Sequence, residues 1–119
     1  MTALDPDLLA LEKGFWTGDE AFFRENADET CLVAFAEMPG LMGNADLAAT
    51  AGDGNRWKKI EMQQRGAITP TANVTILTYE ARAVRANGES YVALVSSGYV
   101  MRTDGWKLMF HSHTPLPAK

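Results

Sequence analysis

Cysteine is almost absent from this chain of 119 residues, which contains only Cys31. One thiol cannot form an internal disulfide, so packing must hold the fold together, and this usage fits a reducing compartment. Long apolar runs are also missing, since none approaches the roughly 20 residues that a helix needs to cross a bilayer. Residues 1–7 lack the basic and apolar regions of a secretory signal. The sequence therefore predicts a cytoplasmic protein with no membrane partner.

An excess of positive charge is missing as well. The chain has 11 Lys and Arg against 15 Asp and Glu, interspersed, for a formal net charge of -4. Proteins that bind nucleic acids show a basic footprint, so we predict no nucleic-acid partner. The glycines at positions 40, 43, 52 and 54 match the spacing of neither Gly-rich phosphate-binding motif. We accordingly predict no cofactor.

The residues that are present predict one domain over residues 1–119 that begins with helices. A hydrophobic content of 46% is ordinary for a globular protein. An Asp-Pro dipeptide is a typical helix start, and the apolar residues that follow it recur at helical spacing, which predicts a helix over 6–16. Asp19 is placed to cap a second helix that reaches about Asn26.

The rest of the chain is mostly β. We predict a third helix over 45–51, capped by Asn44, and strands near 30–37, 57–67, 73–86, 89–102 and 106–114. Asn-Gly and Asp-Gly, at 87–88 and 104–105, are strong hairpin signals because a type I′ turn needs positive φ at both central positions. Helices followed by antiparallel strands predict an α+β fold, in which N-terminal helices pack on a curved, mostly antiparallel sheet. Such a sheet is cone-shaped and leaves an opening at one end.

The turn lengths set the strand register. If both hairpins have two-residue turns, Ile76 lies opposite Tyr99, Thr78 opposite Ser97, and Tyr99 opposite Phe110. The face that carries these residues has the larger apolar side chains on the closing strands, so we expect it to lie under the helices. Side chains alternate along a strand, so a single bulge would exchange the two faces beyond its position.

The opposite face is apolar for about half its length, which favours a homodimer through this face of the sheet. Its large apolar members are Leu77, Tyr79, Leu94, Val100 and Met109. His111 and His113 share this face, and Cys31 would join them if the first and last strands were neighbours. Two histidines are fewer ligands than zinc requires. We therefore predict no metal site and assign both histidines to the interface or to hydrogen bonding.

The covered face holds an anomaly, the charged residues Glu80 and Arg82 in the middle of an internal strand. Buried charges need partners, so these two could serve each other as a structural ion pair or could serve an enclosed ligand. We take them as the centre of a small-molecule site and assign no catalytic residue. The predicted ligand-binding residues are Glu80, Arg82, Tyr99, Ser97, Thr78, Trp57, Met38 and Phe110.

Three segments carry a family resemblance. They are the leading helix Leu8–Trp16, the stretch Phe35–Gly43 (FAEMPGLMG) before a helix, and the ending Tyr99–Leu116 (YVMRTDGWKLMFHSHTPL). Together they resemble the nuclear transport factor 2-like superfamily, specifically its SnoaL-like and ketosteroid isomerase-like members. The resemblance covers nearly the whole chain. It implies a conical α+β fold, a homodimer through the sheet, and a pocket between the helices and the concave face.

The best-understood chemistry of this superfamily does not carry over. Ketosteroid isomerases use as general base an aspartate just before a proline, and this chain has Met38 before Pro39, where a thioether cannot take a proton. The carboxylic acid of their oxyanion hole matches Ser97 in the predicted register. A neutral hydroxyl is a much weaker substitute for a buried protonated carboxyl. Because of these two departures from the family pattern, we expect no dienolate chemistry of that type.

Three functions stay open. The leading hypothesis is a helix-covered pocket that binds, or acts on, a small, mostly apolar molecule. The second is a non-catalytic homodimeric module that works through its sheet. The third is an isomerase or lyase whose acid and base residues the sequence does not identify. No motif names a reaction, so the sequence leaves open whether the protein is an enzyme.

Overall fold

A computed structural model describes residues 6–35, 39–52 and 54–117, which form three helices and six strands. The helices are α1 (Pro6–Thr17), α2 (Glu20–Asn26) and α3 (Asn44–Ala49). The strands are β1 (Ala27–Ala34), β2 (Pro39–Gly43), β3 (Trp57–Thr71), β4 (Val74–Arg85), β5 (Ser90–Arg102) and β6 (Gly105–Pro115). The short strand β2 was not predicted, because its proline and glycines favour a turn.

The six strands form one sheet in the order β2-β1-β6-β5-β4-β3. All neighbouring pairs are antiparallel except β1 and β6, which are parallel. The predicted α+β fold, with helices on a curved and mostly antiparallel sheet, is confirmed. Among the described residues, no helix is long and apolar enough to span a bilayer.

Of the three predicted helix caps, Asp5 lies outside the described residues, and one of the other two is confirmed. The side chain of Asp19 accepts a hydrogen bond from the backbone N–H of Phe22 at 3.0 Å, which caps α2 as expected. Asn44 does not cap α3 but is its first residue. Its side-chain amide donates to the carbonyl oxygens of Ala27 at 2.9 Å and Arg24 at 3.1 Å, and so fastens α3 to the junction of α2 and β1.

The core lies between the helices and one face of the sheet. It contains Leu8, Phe15, Trp16, Phe23 and Leu47 from the helices, and Val33, Leu77, Tyr79, Val95, Tyr99 and Leu108 from the strands. The rings of Phe15 and Phe23 meet edge to face, with centroids 4.9 Å apart. The odd-numbered residues in the middle of β4 and β5 therefore face the helices.

The hairpin between β4 and β5 is longer than the predicted two-residue turn at 87–88. The N–H of Gly88 donates to the carbonyl of Arg85, and the N–H of Arg85 donates to the carbonyl of Glu89, both at 2.8 Å. Gly88 has a φ of 94°, a conformation that glycine adopts without strain. The loop is thus a turn followed by a left-handed glycine, the common three-residue hairpin.

This extra residue inverts β4 relative to the prediction, because a slip of one position moves every side chain to the other face. Thr75 lies opposite Tyr99, and Leu77 lies opposite Ser97. The residues of β4 that face the helices are Thr75, Leu77, Tyr79, Ala81 and Ala83, whereas Ile76, Thr78, Glu80 and Arg82 lie on the outer face. The prediction that Glu80 and Arg82 are covered by the helices is therefore wrong.

The hairpin between β5 and β6 also departs from the prediction. Its turn is Thr103–Asp104 instead of 104–105, since Arg102 pairs with Gly105. The register then shifts, because Tyr99 pairs with Leu108 while Gly98 pairs with Phe110. Met109 is the extra residue, so β6 has a bulge at that position.

The bulge exchanges the faces of β6 beyond Leu108. His111 lies opposite Ser97 and His113 lies opposite Val95, so both histidines face the helices. Phe110 lies on the outer face. The assignment of the two histidines to an outer interface, and of Phe110 to the covered pocket, is therefore wrong for the same physical reason.

Candidate functional site

A carboxylate lies in the core beneath the helices. Glu12, in the middle of α1, has no exposed surface. It follows Leu8 by four residues and precedes Trp16 by four, so it lies on the same helix face as those two buried side chains. Glu12 is not among the residues predicted from the sequence to form the site. The helical spacing could have indicated Glu12 as a site residue, because a charged residue in the middle of an apolar stripe must find partners inside the protein.

Three hydroxyl groups from the sheet bind this carboxylate. Tyr79 donates to Oε1 at 2.7 Å, Ser97 donates to Oε1 at 2.6 Å, and Tyr99 donates to Oε2 at 2.5 Å. The indole N–H of Trp16 donates in turn to the hydroxyl of Tyr79 at 2.7 Å. These bonds connect α1 to β4 and β5 and satisfy the buried groups on both sides.

Burial controls the ionisation of this cluster. Loss of water raises the pKa of Glu12, although the bonds from Ser97, Tyr79 and Tyr99 act in the opposite direction. Burial and the neighbouring carboxylate raise the pKa of Tyr79 and of Tyr99 well above the usual value for a phenol. The tyrosines therefore stay protonated as donors, while the carboxyl has an enhanced affinity for a proton.

A row of side chains continues from Glu12 along the sheet. The hydroxyl of Ser97 lies 2.6 Å from Nδ1 of His111. Nε2 of His111 lies 3.0 Å from Nε2 of His113, and Nδ1 of His113 lies 3.0 Å from the hydroxyl of Tyr91. We call Tyr91, His113, His111, Ser97 and Glu12 the polar chain. Each of its neighbouring members is within hydrogen-bond distance.

The polar chain has two complete hydrogen-bond arrangements. A neutral imidazole donates from one nitrogen and accepts at the other. With Glu12 ionised, every donor points toward it: Tyr91 donates to His113, His113 to His111, His111 to Ser97, and Ser97 to Glu12. With Glu12 protonated, every bond is reversed, and Tyr91 keeps its hydroxyl proton but points it away from the chain. The second arrangement holds one more proton than the first.

His111 is neutral in the folded protein at neutral pH. Burial lowers the pKa of its imidazole to about 4. Its Nδ1 lies 3.6 Å from Oε1 of Glu12, close enough for a charge on one group to affect the other. A neutral His111 keeps one donor and one acceptor nitrogen, as either arrangement of the polar chain requires.

The polar chain ends at a cavity of about 290 Å³ between the helices and the sheet. His111, His113 and Tyr91 belong to its wall, whereas Glu12 lies behind them. The indole of Trp16 stacks on His113, with centroids 5.0 Å apart and planes 15° from parallel. The described residues that line the cavity are Phe15, Trp16, Phe23, Phe35, Leu47, Thr50, Arg56, Trp57, Arg85, Tyr91, Leu108, His111, His113 and Pro115.

Comparison with known proteins identifies the fold. The sequence matches no protein-family model, and the search of curated proteins gave no significant match. Among solved structures, a nuclear transport factor 2-like protein of unknown function in nutrient uptake from Rhodospirillum rubrum is similar, with a TM-score of 0.77 at 9% identity over 96% of this chain and 100% of the other. The chain has the nuclear transport factor 2-like fold.

Two further structures agree with this fold. A protein provisionally assigned as a ketosteroid isomerase, from Parabacteroides distasonis, has a TM-score of 0.73 at 13% identity over 92% of this chain and 85% of the other. A domain of unknown function with a cystatin-like fold, from Nostoc punctiforme, has a TM-score of 0.72 at 16% identity over 99% of this chain and 81% of the other. At these identities the likeness defines the nuclear transport factor 2-like fold and no activity.

Three of the eight predicted ligand-binding residues lie beneath the helices of this fold. Trp57 is part of the cavity wall. Ser97 and Tyr99 are fully buried and bind Glu12, so they are brought together but lie outside the cavity lining. Met38 lies outside the described residues. The ligand-binding role assigned to these residues stays a prediction.

The other four predicted residues lie on the outer face of the sheet. Glu80 accepts hydrogen bonds from Arg82 at 2.8 Å and from Arg65 at 3.0 Å, and these arginines lower the pKa of Glu80. Thr78 donates to the carbonyl of a β5 residue at 2.9 Å. Together with Phe110, these residues are separated from the cavity by the sheet. The alternative explanation of Glu80 and Arg82 as a structural ion pair fits this geometry.

Cys31, His111 and His113 were the metal ligands considered from the sequence. β1 and β6 are neighbours, as a site with Cys31 would require, but no group of three or more metal-ligating side chains occurs among the described residues. Burial raises the pKa of Cys31 to about 12, so its thiol is unreactive at neutral pH.

His111 and Glu12 have opposite effects on stability in acid. The folded pKa of His111, about 4, lies below its ordinary value of 6.5, so the stability that His111 contributes above pH 6.5 is lost as the pH falls toward 4. The pKa of Glu12 is raised from its ordinary value of 4.5. Its contribution is therefore complete below pH 4.5 and is lost as the pH rises. In the wild-type protein the two effects partly cancel.

We expect Glu12→Gln to reveal the effect of His111, because glutamine does not titrate. The free energy of unfolding of this variant should fall by about 3 kcal/mol between pH 6.5 and pH 4, more steeply than that of the wild type. Urea unfolding at pH 7, 6, 5 and 4 measures both slopes. Equal slopes for the two proteins would show that the two side chains do not offset each other.

Proposed function

We propose that the protein binds a small, mostly apolar molecule in the cavity and moves a proton between that molecule and Glu12 through the polar chain. One observation carries this proposal: an unbroken series of hydrogen-bonding side chains connects a fully buried carboxyl to the cavity wall. A structural carboxyl would need only its three hydroxyl partners. The two histidines extend the series to the place where a ligand would lie.

The chemistry follows from the two arrangements of the polar chain. When Glu12 is ionised, the oxygen of Tyr91 can accept a proton from the ligand, because its own proton already points to His113. Each later member then passes one proton inward, until Glu12 is protonated. The ligand loses one proton and Glu12 gains it. The reverse passage returns a proton, so removal and return at different atoms would isomerise the ligand, and loss of a leaving group would make the protein a lyase.

The cavity suits such a reaction because it is mostly apolar. Its lining includes six phenyl, indole or phenol side chains, and a volume of about 290 Å³ is at the small end for ligand sites. An apolar lining limits competition from water at the hydroxyl of Tyr91 while a ligand is bound, and the polar chain can exchange its protons with solvent when the cavity is free. Glu12 would then be the acid-base group that no motif in the sequence indicates.

Hydrogen exchange tests this function without knowledge of the natural reaction. A library of small apolar carbonyl compounds would be screened for thermal stabilisation, and the binders incubated with the protein in D₂O. Mass spectrometry should detect deuterium incorporated into at least one binder faster than in buffer. If no compound stabilises the protein, the binding part of the proposal fails. If compounds bind but exchange no faster than in buffer, the proton-transfer part fails.

A second candidate function, a non-catalytic homodimeric module, is supported by the outer face of the sheet. Cross-strand partners form one row of apolar residues over all six strands: Leu41, Leu32, Phe110, Gly98, Ile76 and Ile68. Leu41, Leu32, Ile76 and Ile68 are exposed. A continuous apolar row in water favours association, and the same row on a second copy would cover it.

We expect the wild-type protein to be a dimer and Ile76→Asp to be a monomer in analytical ultracentrifugation. A charge in the middle of the row would have to be buried without a partner in the dimer. Met101 supplies a matched control, since it has the same 37% exposure as Ile76 but is an odd-numbered residue of β5, on the face of the sheet that carries the helices. Met101→Asp should remain dimeric. A monomeric wild type, or equal dissociation of both variants, would contradict an interface on this row.

A further inference from the structure

The cavity wall contains two guanidinium groups, those of Arg56 and Arg85. The described residues of the wall include no carboxylate, because Glu12 lies behind the histidines. Two positive groups, with no acid in the described part of the wall, favour a ligand with a negative charge. The rest of the wall is largely apolar and aromatic.

Arg85 is placed to recognise an anion at the cavity. Its guanidinium carbon lies 4.9 Å from the ring centroids of both Trp57 and Tyr91. Contact with two rings holds the guanidinium plane while its N–H groups remain able to donate to a carboxylate. Arg85 forms no ion pair with any residue in the described ranges. A ligand carboxylate would supply that partner.

Arg56 contributes a second donor. Its Nη2 donates to the backbone carbonyls of Phe15 at 3.2 Å and Trp16 at 3.1 Å, near the end of α1. Its Nε is buried and has no hydrogen-bond partner among the described residues. A buried donor without an acceptor is destabilising, so an acceptor brought by a ligand would remove that penalty.

The aromatic side chains indicate the shape of the ligand body. Trp57 and Tyr91 lie 5.5 Å apart between ring centroids, and Trp16 lies 5.0 Å from Trp57. These rings form one continuous wall that ends at Arg85. Flat apolar molecules gain the most contact from such a wall, because aromatic pairs stack or meet edge to face.

We propose that the ligand of the cavity is a small aromatic carboxylate, whose ring packs on the wall formed by Trp16, Trp57 and Tyr91 and whose carboxylate binds Arg85 and Arg56. This inference rests on the proposed function and specifies its ligand class. The carboxylate gives the ligand its orientation in the cavity. The ring supplies the apolar contact area.

Isothermal titration calorimetry with 2-naphthoate and its neutral amide, 2-naphthamide, tests the inference on the full chain. We expect 2-naphthoate to bind at least tenfold more tightly than 2-naphthamide. Arg85→Gln should weaken 2-naphthoate binding by roughly tenfold and leave 2-naphthamide binding within about twofold. Arg82→Gln is the matched control, because it removes the same charge from the same strand on the outer face, and it should leave both affinities unchanged.

The outcomes separate this inference from the proposed function. Equal binding of both compounds would overturn anion recognition while leaving an apolar cavity that binds ligands. Equal losses from Arg85→Gln and Arg82→Gln would attribute the effect to net charge and would also overturn it. Binding of neither compound overturns the aromatic carboxylate. The proposed function fails only if the wider carbonyl library also gives no binder.

Discussion

Replacing Glu12 with alanine is expected to lower the free energy of unfolding by about 3–5 kcal/mol. The hydroxyls of Tyr79, Ser97 and Tyr99 donate to this carboxylate inside the core, where water cannot replace it. Each would lose an acceptor, and a small cavity would remain. Urea unfolding at pH 7, followed by circular dichroism, measures the change.

Two control variants test whether the loss of stability is specific to the buried carboxylate of Glu12. Glu12→Gln keeps the volume and one acceptor oxygen, so its destabilisation should lie between those of the wild type and Glu12→Ala. Glu80→Ala removes a carboxylate from the outer face and should shift the urea midpoint only slightly, since exposed ion pairs contribute little. A larger effect at Glu80 than at Glu12 would contradict the placement of the two carboxylates.

Replacing His113 with phenylalanine is expected to reduce deuterium exchange into a bound ligand by roughly 10²- to 10⁴-fold. Phenylalanine can preserve the ring contact with Trp16 but cannot carry a proton between Tyr91 and His111. The rate would be measured by mass spectrometry in D₂O with a compound identified in the carbonyl screen. Binding of that compound, followed by calorimetry, should change much less than the exchange rate.

The other members of the polar chain provide the comparison. Tyr91→Phe and Glu12→Gln remove its two ends and should each reduce exchange by a similar factor, because a proton must pass through every member. Glu80→Gln should not change the rate. Full exchange in His113→Phe with normal ligand binding would mean that the polar chain carries no proton. The histidines would then be structural.

All the elements of the fold except β2 were predictable from the sequence, because they depend on local interactions. The Asp19 cap and the apolar spacing after it gave α2, and the turn dipeptides at 87–88 and 104–105 marked both late hairpins. The exact pairing register of the strands in these hairpins was not predictable. A Gly in the left-handed region after a turn suits both a two-residue and a three-residue loop, and the dipeptide does not distinguish them.

The prediction of the candidate site depended on a shift of one residue in the strand register. The slip in the first hairpin moved Glu80 and Arg82 to the outer face, and the bulge at Met109 moved His111 and His113 beneath the helices. Both errors have the same origin, since side chains on a strand alternate with a period of two. The composition of the strands gives no sign of where a bulge falls.

The sequence by itself determined the α+β order of elements, the apolar face of α1 and the absence of an internal disulfide, because these follow from spacing and residue type. Only the tertiary structure decided which polar groups meet. Glu12 lies 85 positions from Ser97 and 87 from Tyr99 along the chain. Such contacts exist only when α1 packs on a correctly registered sheet, and long-range packing is not encoded in any local pattern.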